Sequence, residues 1–169
     1  ADAAAWVDRG LSEHGGTRWW RRSEEKVARA YMMAGQYDKA TEQFDARAKR
    51  GGWYGRRARF YAAFTTYMSG DLPAAIERFD GIIETNRAYL TEARYWRHKA
   101  HTTLAAAEGD AAQAHADAAQ ADATWILTEA PRTWYGLLLR QADLPDTHPW
   151  RRDGRWADVP LPALPAPPR

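Results

Sequence analysis

The chain has 169 residues, with 24 Lys and Arg against 22 Asp and Glu, for a formal net charge of +2. That length suits one well-buried domain, and 45% hydrophobic with 27% charged residues is a globular balance rather than a disordered one. The absence of cysteine excludes disulfides and thiolate nucleophiles and leaves the redox compartment open.

The first element in chain order is a lead helix within residues 1 to 14, built on Trp6, Val7 and Leu11. This stretch has neither the basic start nor the apolar block of a signal peptide. Gly15-Gly16 closes the segment, giving a lead helix and linker over residues 1–16.

Residues 17–142 repeat themselves. Gly35-Gln-Tyr-Asp-Lys-Ala-Thr-Glu-Gln-Phe44, Gly70-Asp-Leu-Pro-Ala-Ala-Ile-Glu-Arg-Phe79 and Gly109-Asp-Ala-Ala-Gln-Ala-His-Ala-Asp-Ala118 align, with the glycines 35 and then 39 residues apart. A period of about 34 is that of a tetratricopeptide-type helical hairpin. Each glycine suits a helix C-terminus, and Asp71 and Asp110 suit the N-cap of the next helix. Pro73 falls in a first turn, where its missing N–H costs little. Ala40, Ala75 and Ala114 are placed for close approach of two helices, and Phe44 and Phe79 fill the space one turn on.

The first helices of the units carry stripes of their own: Trp20, Val27, Ala28 and Tyr31; then Phe60, Ala63, Phe64 and Tyr67; then Ala93, Trp96, Ala100 and Leu104. A shorter helix from Trp134 to Gln141 follows Pro131 and Thr133. Strand patterns are nearly absent. The expected fold is all-α: seven or eight helices in tandem antiparallel hairpins, stacked as a right-handed superhelical solenoid. Residues 143–169 form a proline-rich tail, where Pro160, Pro162, Pro165, Pro167 and Pro168 exclude helix.

Catalytic motifs are missing. Gly15-Gly16 and Gly51-Gly52 are turn signals, not phosphate-binding or dinucleotide fingerprints. Glu24-Glu25, Glu77 and Glu84 read as polar helix faces, and His98, His101 and His115 as surface histidines, so no metal site and no cofactor are expected. The chain is therefore expected not to be an enzyme. No apolar run approaches the roughly 20 residues that cross a bilayer, so no transmembrane segment is expected either.

Basic residues interleaved with aromatics are the better functional lead, at Arg18-Trp-Trp-Arg-Arg22, at Lys49-Arg-Gly-Gly-Trp-Tyr-Gly-Arg-Arg57 and at Arg94-Tyr-Trp-Arg-His-Lys99. Arginine with tryptophan can hold a polyanion or stack on rings. It can equally be a packed aromatic with an arginine stem lying over it. Arg22, Arg29, Arg57, Arg59 and Arg97 are the candidate binding residues, while Trp20, Phe64, Trp96, Tyr135 and Gly136 are expected to be structural. Nucleic acid is an unfavoured partner, given the small net charge.

Ala93-Arg-Tyr-Trp-Arg-His-Lys-Ala100, a helical hairpin, and then Thr133-Trp-Tyr-Gly-Leu-Leu-Leu139 resemble the end of the superhelical region of soluble lytic transglycosylases. There an A-R-Y-W-x-x-x-A helix is followed by an aromatic-Tyr-Gly-Leu-Leu helix just before the catalytic module. Trp53-Tyr-Gly55 echoes Trp134-Tyr-Gly136. The Glu-Ser pair and G-L-M-Q-type stretch of that catalytic module do not occur here. The resemblance implies a non-catalytic periplasmic arm that positions a peptidoglycan (murein) glycan strand for a neighbouring module. The alternative is a tetratricopeptide-type scaffold that binds a peptide or a partner helix.

Overall fold

A computed structural model describes residues 3–15, 17–85, 88–107 and 109–142, without the side chains of residues 3–4, 18–22 and 142. The expected proline-rich tail, 143–169, lies outside the described residues. So does Gly16, and so do the side chains of Trp20 and Arg22.

Eight helices and no strand occur among the described residues: α1 Ala3–His14, α2 Arg18–Met33, α3 Tyr37–Ala48, α4 Gly52–Met68, α5 Leu72–Thr85, α6 Leu90–Ala105, α7 Ala112–Glu129 and α8 Trp134–Ala142. Each packs chiefly on its neighbours in the chain, and α4 also touches α6, as α6 touches α8. Among the described residues, the main pairings thus join helices one or two apart.

The glycine punctuation does what the sequence implies at two sites. Gly35 and Gly70 end α2 and α4 in the left-handed region, at φ 73° and 89°, where a side chain is strained. Asp71 then accepts from the Ala74 amide at 3.2 Å, the N-cap bond of α5. Ala40, Ala75, Phe44 and Phe79 are completely buried.

Three apolar clusters result, the smallest joining Ala123 and Ile126 of α7 with Leu139 of α8. The first joins Val7 of α1, Val27, Ala28 and Tyr31 of α2, Ala40, Phe44 and Ala48 of α3, and Ala58 and Ala62 of α4. The second joins Phe60 and Ala63 of α4, Ala75, Phe79 and Ile82 of α5, and Ala93 of α6, with Phe64, Tyr67 and Trp96 packed against them. Tyr89 is a non-glycine residue at φ 64° just before α6. Its ring stacks on Phe60 at 5.2 Å, so packing offsets the backbone strain.

The structure departs from the sequence reading in three places. Trp6 is 67% exposed, and Val7 and Leu11 alone face the core. They lie one turn apart, whereas Trp6 is rotated about 100° from Val7. Ala114 is exposed and Asp110 caps nothing, because α7 starts at Ala112 behind Ala111. The buried side of α7 is instead Ala119, Asp122, Ala123 and Ile126. Where α7 meets α6 decides this burial, and counting from Gly109 misses it.

Candidate functional site

The five candidate arginines meet different fates. Arg29 and Arg57 converge on Glu25 of α2: Arg29 Nη2 lies 3.3 Å from Glu25 Oε1, and Arg57 donates to the same oxygen from α4. Arg29 also donates to the Tyr61 hydroxyl at 2.7 Å, with its guanidinium 4.6 Å from that ring's centre. The bond from Glu25 raises Arg57 above the usual guanidinium range, against the burial that opposes charge.

Arg97 is held more firmly. Its Nε and Nη2 donate to the two oxygens of Asp122, each at 2.7 Å, while Nη1 donates to Asp80. Arg94 adds a further bond to Asp122 at 2.8 Å and lies 4.4 Å from the centre of Trp125. Burial works against the charge on Arg97, but the bonds to Asp122 and Asp80 outweigh it and raise its pKa. Asp122 is wholly buried, so two arginines compensate this sequestered carboxylate, and Asp80 balances the second positive charge. Arg59 is different: it is exposed and lies beside the Arg78–Asp45 pair in a shallow recess with Gly81, Ile82 and Thr85.

Many of these cross-links span one repeat. Glu25 to Arg57 is 32 residues, Arg29 to Tyr61 is 32, and Asp45 to Arg78 is 33. They tie α2 to α4 and α3 to α5. For the two ion pairs among them, opposite charges one period apart were the sequence signal.

The structural assignments of Phe64, Trp96, Tyr135 and Gly136 can be placed directly. Phe64 and Trp96 meet with ring centres 4.7 Å apart, and Tyr135 lies 4.8 Å from Tyr95. Gly136 is buried, and a Cβ there would stand 2.6 Å from the Ala130 carbonyl oxygen and 2.9 Å from that of Pro131. Gly55 meets the Ala48 carbonyl in the same manner, at 3.0 Å. The two Trp-Tyr-Gly segments thus open α4 and α8 with a glycine pressed on the end of the preceding helix.

The sequence singles out the Lys49–Arg57 stretch as a functional lead but does not name as binding residues the rings it carries outward. Trp53 is 48% and Tyr54 57% exposed, with centres 5.2 Å apart and planes nearly perpendicular. Arg57 lies 4.9 Å from the Trp53 ring centre, and Arg47 lies 5.2 Å from that of Tyr54. Trp134, the counterpart of Trp53, is 67% exposed. Exposed rings flanked by guanidinium groups can stack on a flat apolar ligand face and hold an anionic substituent beside it. The repeated Trp-Tyr-Gly was itself the clue.

Among the described residues, no three metal-ligating side chains converge, and no helix is long and apolar enough to cross a membrane. Comparison with known proteins gave no matching family model, no similar curated protein and no similar solved structure.

Proposed function

We propose that the chain is a non-catalytic, tetratricopeptide-like arm that works in the periplasm and binds a murein glycan strand, with bond cleavage left to a separate module. In this reading the helices form antiparallel hairpins stacked in a right-handed superhelix. The observation that carries it is the recurrence of Trp-Tyr-Gly as a packed helix start at α4 and α8, the second within the stretch that resembles lytic transglycosylase arms. The pairing of α6 with α7 also supports it. Contacts run from Arg94 with Asp122, through His98 with Ala119, to His101 with His115, so one helix descends as the other rises.

The ligand surface is the Trp53–Tyr54 corner with Arg47 and Arg57, and Arg59 is a separate candidate in the recess beside Arg78. Arg29 and Arg97 serve to hold helices together. A sugar ring would lie on Trp53, and the carboxylate of a peptide-bearing lactyl substituent would face the arginines. Co-sedimentation of the full chain with purified murein sacculi tests this. Replacing Trp53 and Tyr54 together with Ala should weaken retention at least tenfold with little change in melting temperature, because both rings are exposed. Absence of retention by the unmodified chain, together with capture of a defined protein partner, would replace this reading with the peptide-binding scaffold.

A further inference from the structure

The contact between α6 and α7 contains a histidine pair with no role in the surface just described. His101 Nδ1 and His115 Nδ1 are 2.9 Å apart, with ring centres 5.1 Å apart. Two imidazoles with nitrogens this close reach that centre separation only if the nitrogens point at each other almost head-on. One Nδ1 must then carry the hydrogen while the other offers its lone pair. A tetrahedral zinc ion, at about 2.0–2.1 Å from each nitrogen, would need them about 3.3 Å apart with lone pairs meeting at an angle. The gap fits a proton.

Among the described residues, no carboxylate pairs with His101 or His115. On α6, Arg97 is committed to Asp122 of α7 and Asp80 of α5, and Arg94 to Asp122. His98 is bonded through Nδ1 to the Ala119 carbonyl oxygen at 3.0 Å, so that nitrogen donates. Asp117 of α7 accepts from Gln113. The two arginines and two aspartates balance, and among the described residues each histidine of the pair has its polar contact with the other, not with a carboxylate.

We propose that His101 and His115 form a proton-counting clip that closes the α6–α7 contact at neutral pH and releases it in acid. One added proton, on an outward Nε2, leaves the bond intact. A second puts hydrogens on both facing nitrogens and two positive charges within 3 Å, so the bond is lost. Burial, the His115 ring and Arg97 lower the His101 pKa, with Asp122 and Asp80 opposing them. In the opened chain His101 is freed of these effects and takes its proton near pH 6.5, the ordinary imidazole value. The open form therefore binds more protons, and the clip is fully effective above that pH and lost as pH falls below it. For a difference of one proton, opening rises about tenfold per pH unit. This holds whatever the array binds.

The test is a titration of the full chain from pH 8 to pH 5, following the imidazole nitrogens by NMR and the α6 and α7 amides by hydrogen exchange corrected for its intrinsic pH dependence. The expected result is one Nδ1–H tautomer at pH 8, two well-separated protonation steps, and opening that climbs about tenfold per unit below pH 6. His115→Gln should flatten that climb; if the variant does not fold, the NMR titration of the unmodified chain decides. Independent titration of both rings near pH 6.5 as Nε2–H tautomers would overturn the clip, as would an acid slope that survives in His115→Gln. Zinc chloride shifting both rings' resonances would overturn it too.

Discussion

The α4–α5 and α6–α7 pairs solve the same packing problem with different chemistry. Between α4 and α5 the contact is made of rings and aliphatic groups, with Phe60, Phe79 and Ile82 buried and Phe64 and Tyr67 beside them. Between α6 and α7 the buried apolar side chains are mostly alanines, Ile126 excepted, and a buried carboxylate, two arginines and three histidines make the cross-helix bonds. An alanine-rich helix cannot fill space with side chains, so it comes close enough for polar groups to bond across the gap. The apolar pair is indifferent to pH and salt. The polar pair demands one register, because every member needs its partner.

The largest effects come from emptying either contact. Phe79→Ala should cost about 3–5 kcal/mol in urea denaturation, since a fully buried ring leaves a cavity. Asp122→Ala should cost a similar 3–5 kcal/mol for another reason: Arg94 and Arg97 lose their shared carboxylate. The two are told apart by repair. Asp122→Leu combined with Arg94→Met and Arg97→Met should recover most of the loss, as apolar replacement of a buried ion cluster often does. If the triple variant is no better than Asp122→Ala, the contrast drawn between the pairs is wrong.

Glycine contacts come next, and here the two Trp-Tyr-Gly starts should diverge. Gly136→Ala drives a Cβ to 2.6 Å from a backbone oxygen that has no side-chain freedom with which to retreat. An overpacking cost of about 2–3 kcal/mol exceeds the roughly 1 kcal/mol of helix propensity that Ala gains over Gly. At Gly55 the approach is 3.0 Å, and a shift of a few tenths of an ångström relieves it. Gly55→Ala should therefore come out within about 1 kcal/mol of zero, the two terms nearly cancelling. Thermal unfolding of the two variants measures the difference, and equal losses would deny that the starts differ in tightness.

What was legible follows the same division. Helix ends at Gly35 and Gly70, the cap at Asp71, and burial of Ala40, Phe44, Ala75 and Phe79 could be read because local chemistry and the 35-residue spacing agree there. Ala114 and Asp110 were misread because the third unit keeps the glycine but changes the distance from it to the helix contact. Asp122 could not be found by hydrophobic periodicity, since it occupies a core position as a carboxylate. The exposed Trp53 and Trp134 were visible as a repeated motif, but outward-facing rings cannot be separated from core rings by residue type alone.

The smallest expected effect is also the sharpest check on burial. Asp45 and Arg78 form a well-shaped bidentate pair between α3 and α5, two bonds of 2.9 Å. Its geometry rivals that of Arg97 with Asp122, yet its side chains are 40% and 37% exposed, whereas Asp122 is at 0%. The bond from Asp45 raises the Arg78 pKa against the burial that opposes it, but water screens most of that interaction. Asp45→Ala should thus cost no more than about 1 kcal/mol, and less in high salt. The loss from Asp122→Ala should change little with salt, because the buried cluster is shielded from mobile ions. Denaturation of both variants at low and high salt reads this directly. A cost at Asp45 matching that at Asp122 would mean that bidentate geometry, and not removal from water, sets the strength of these cross-links.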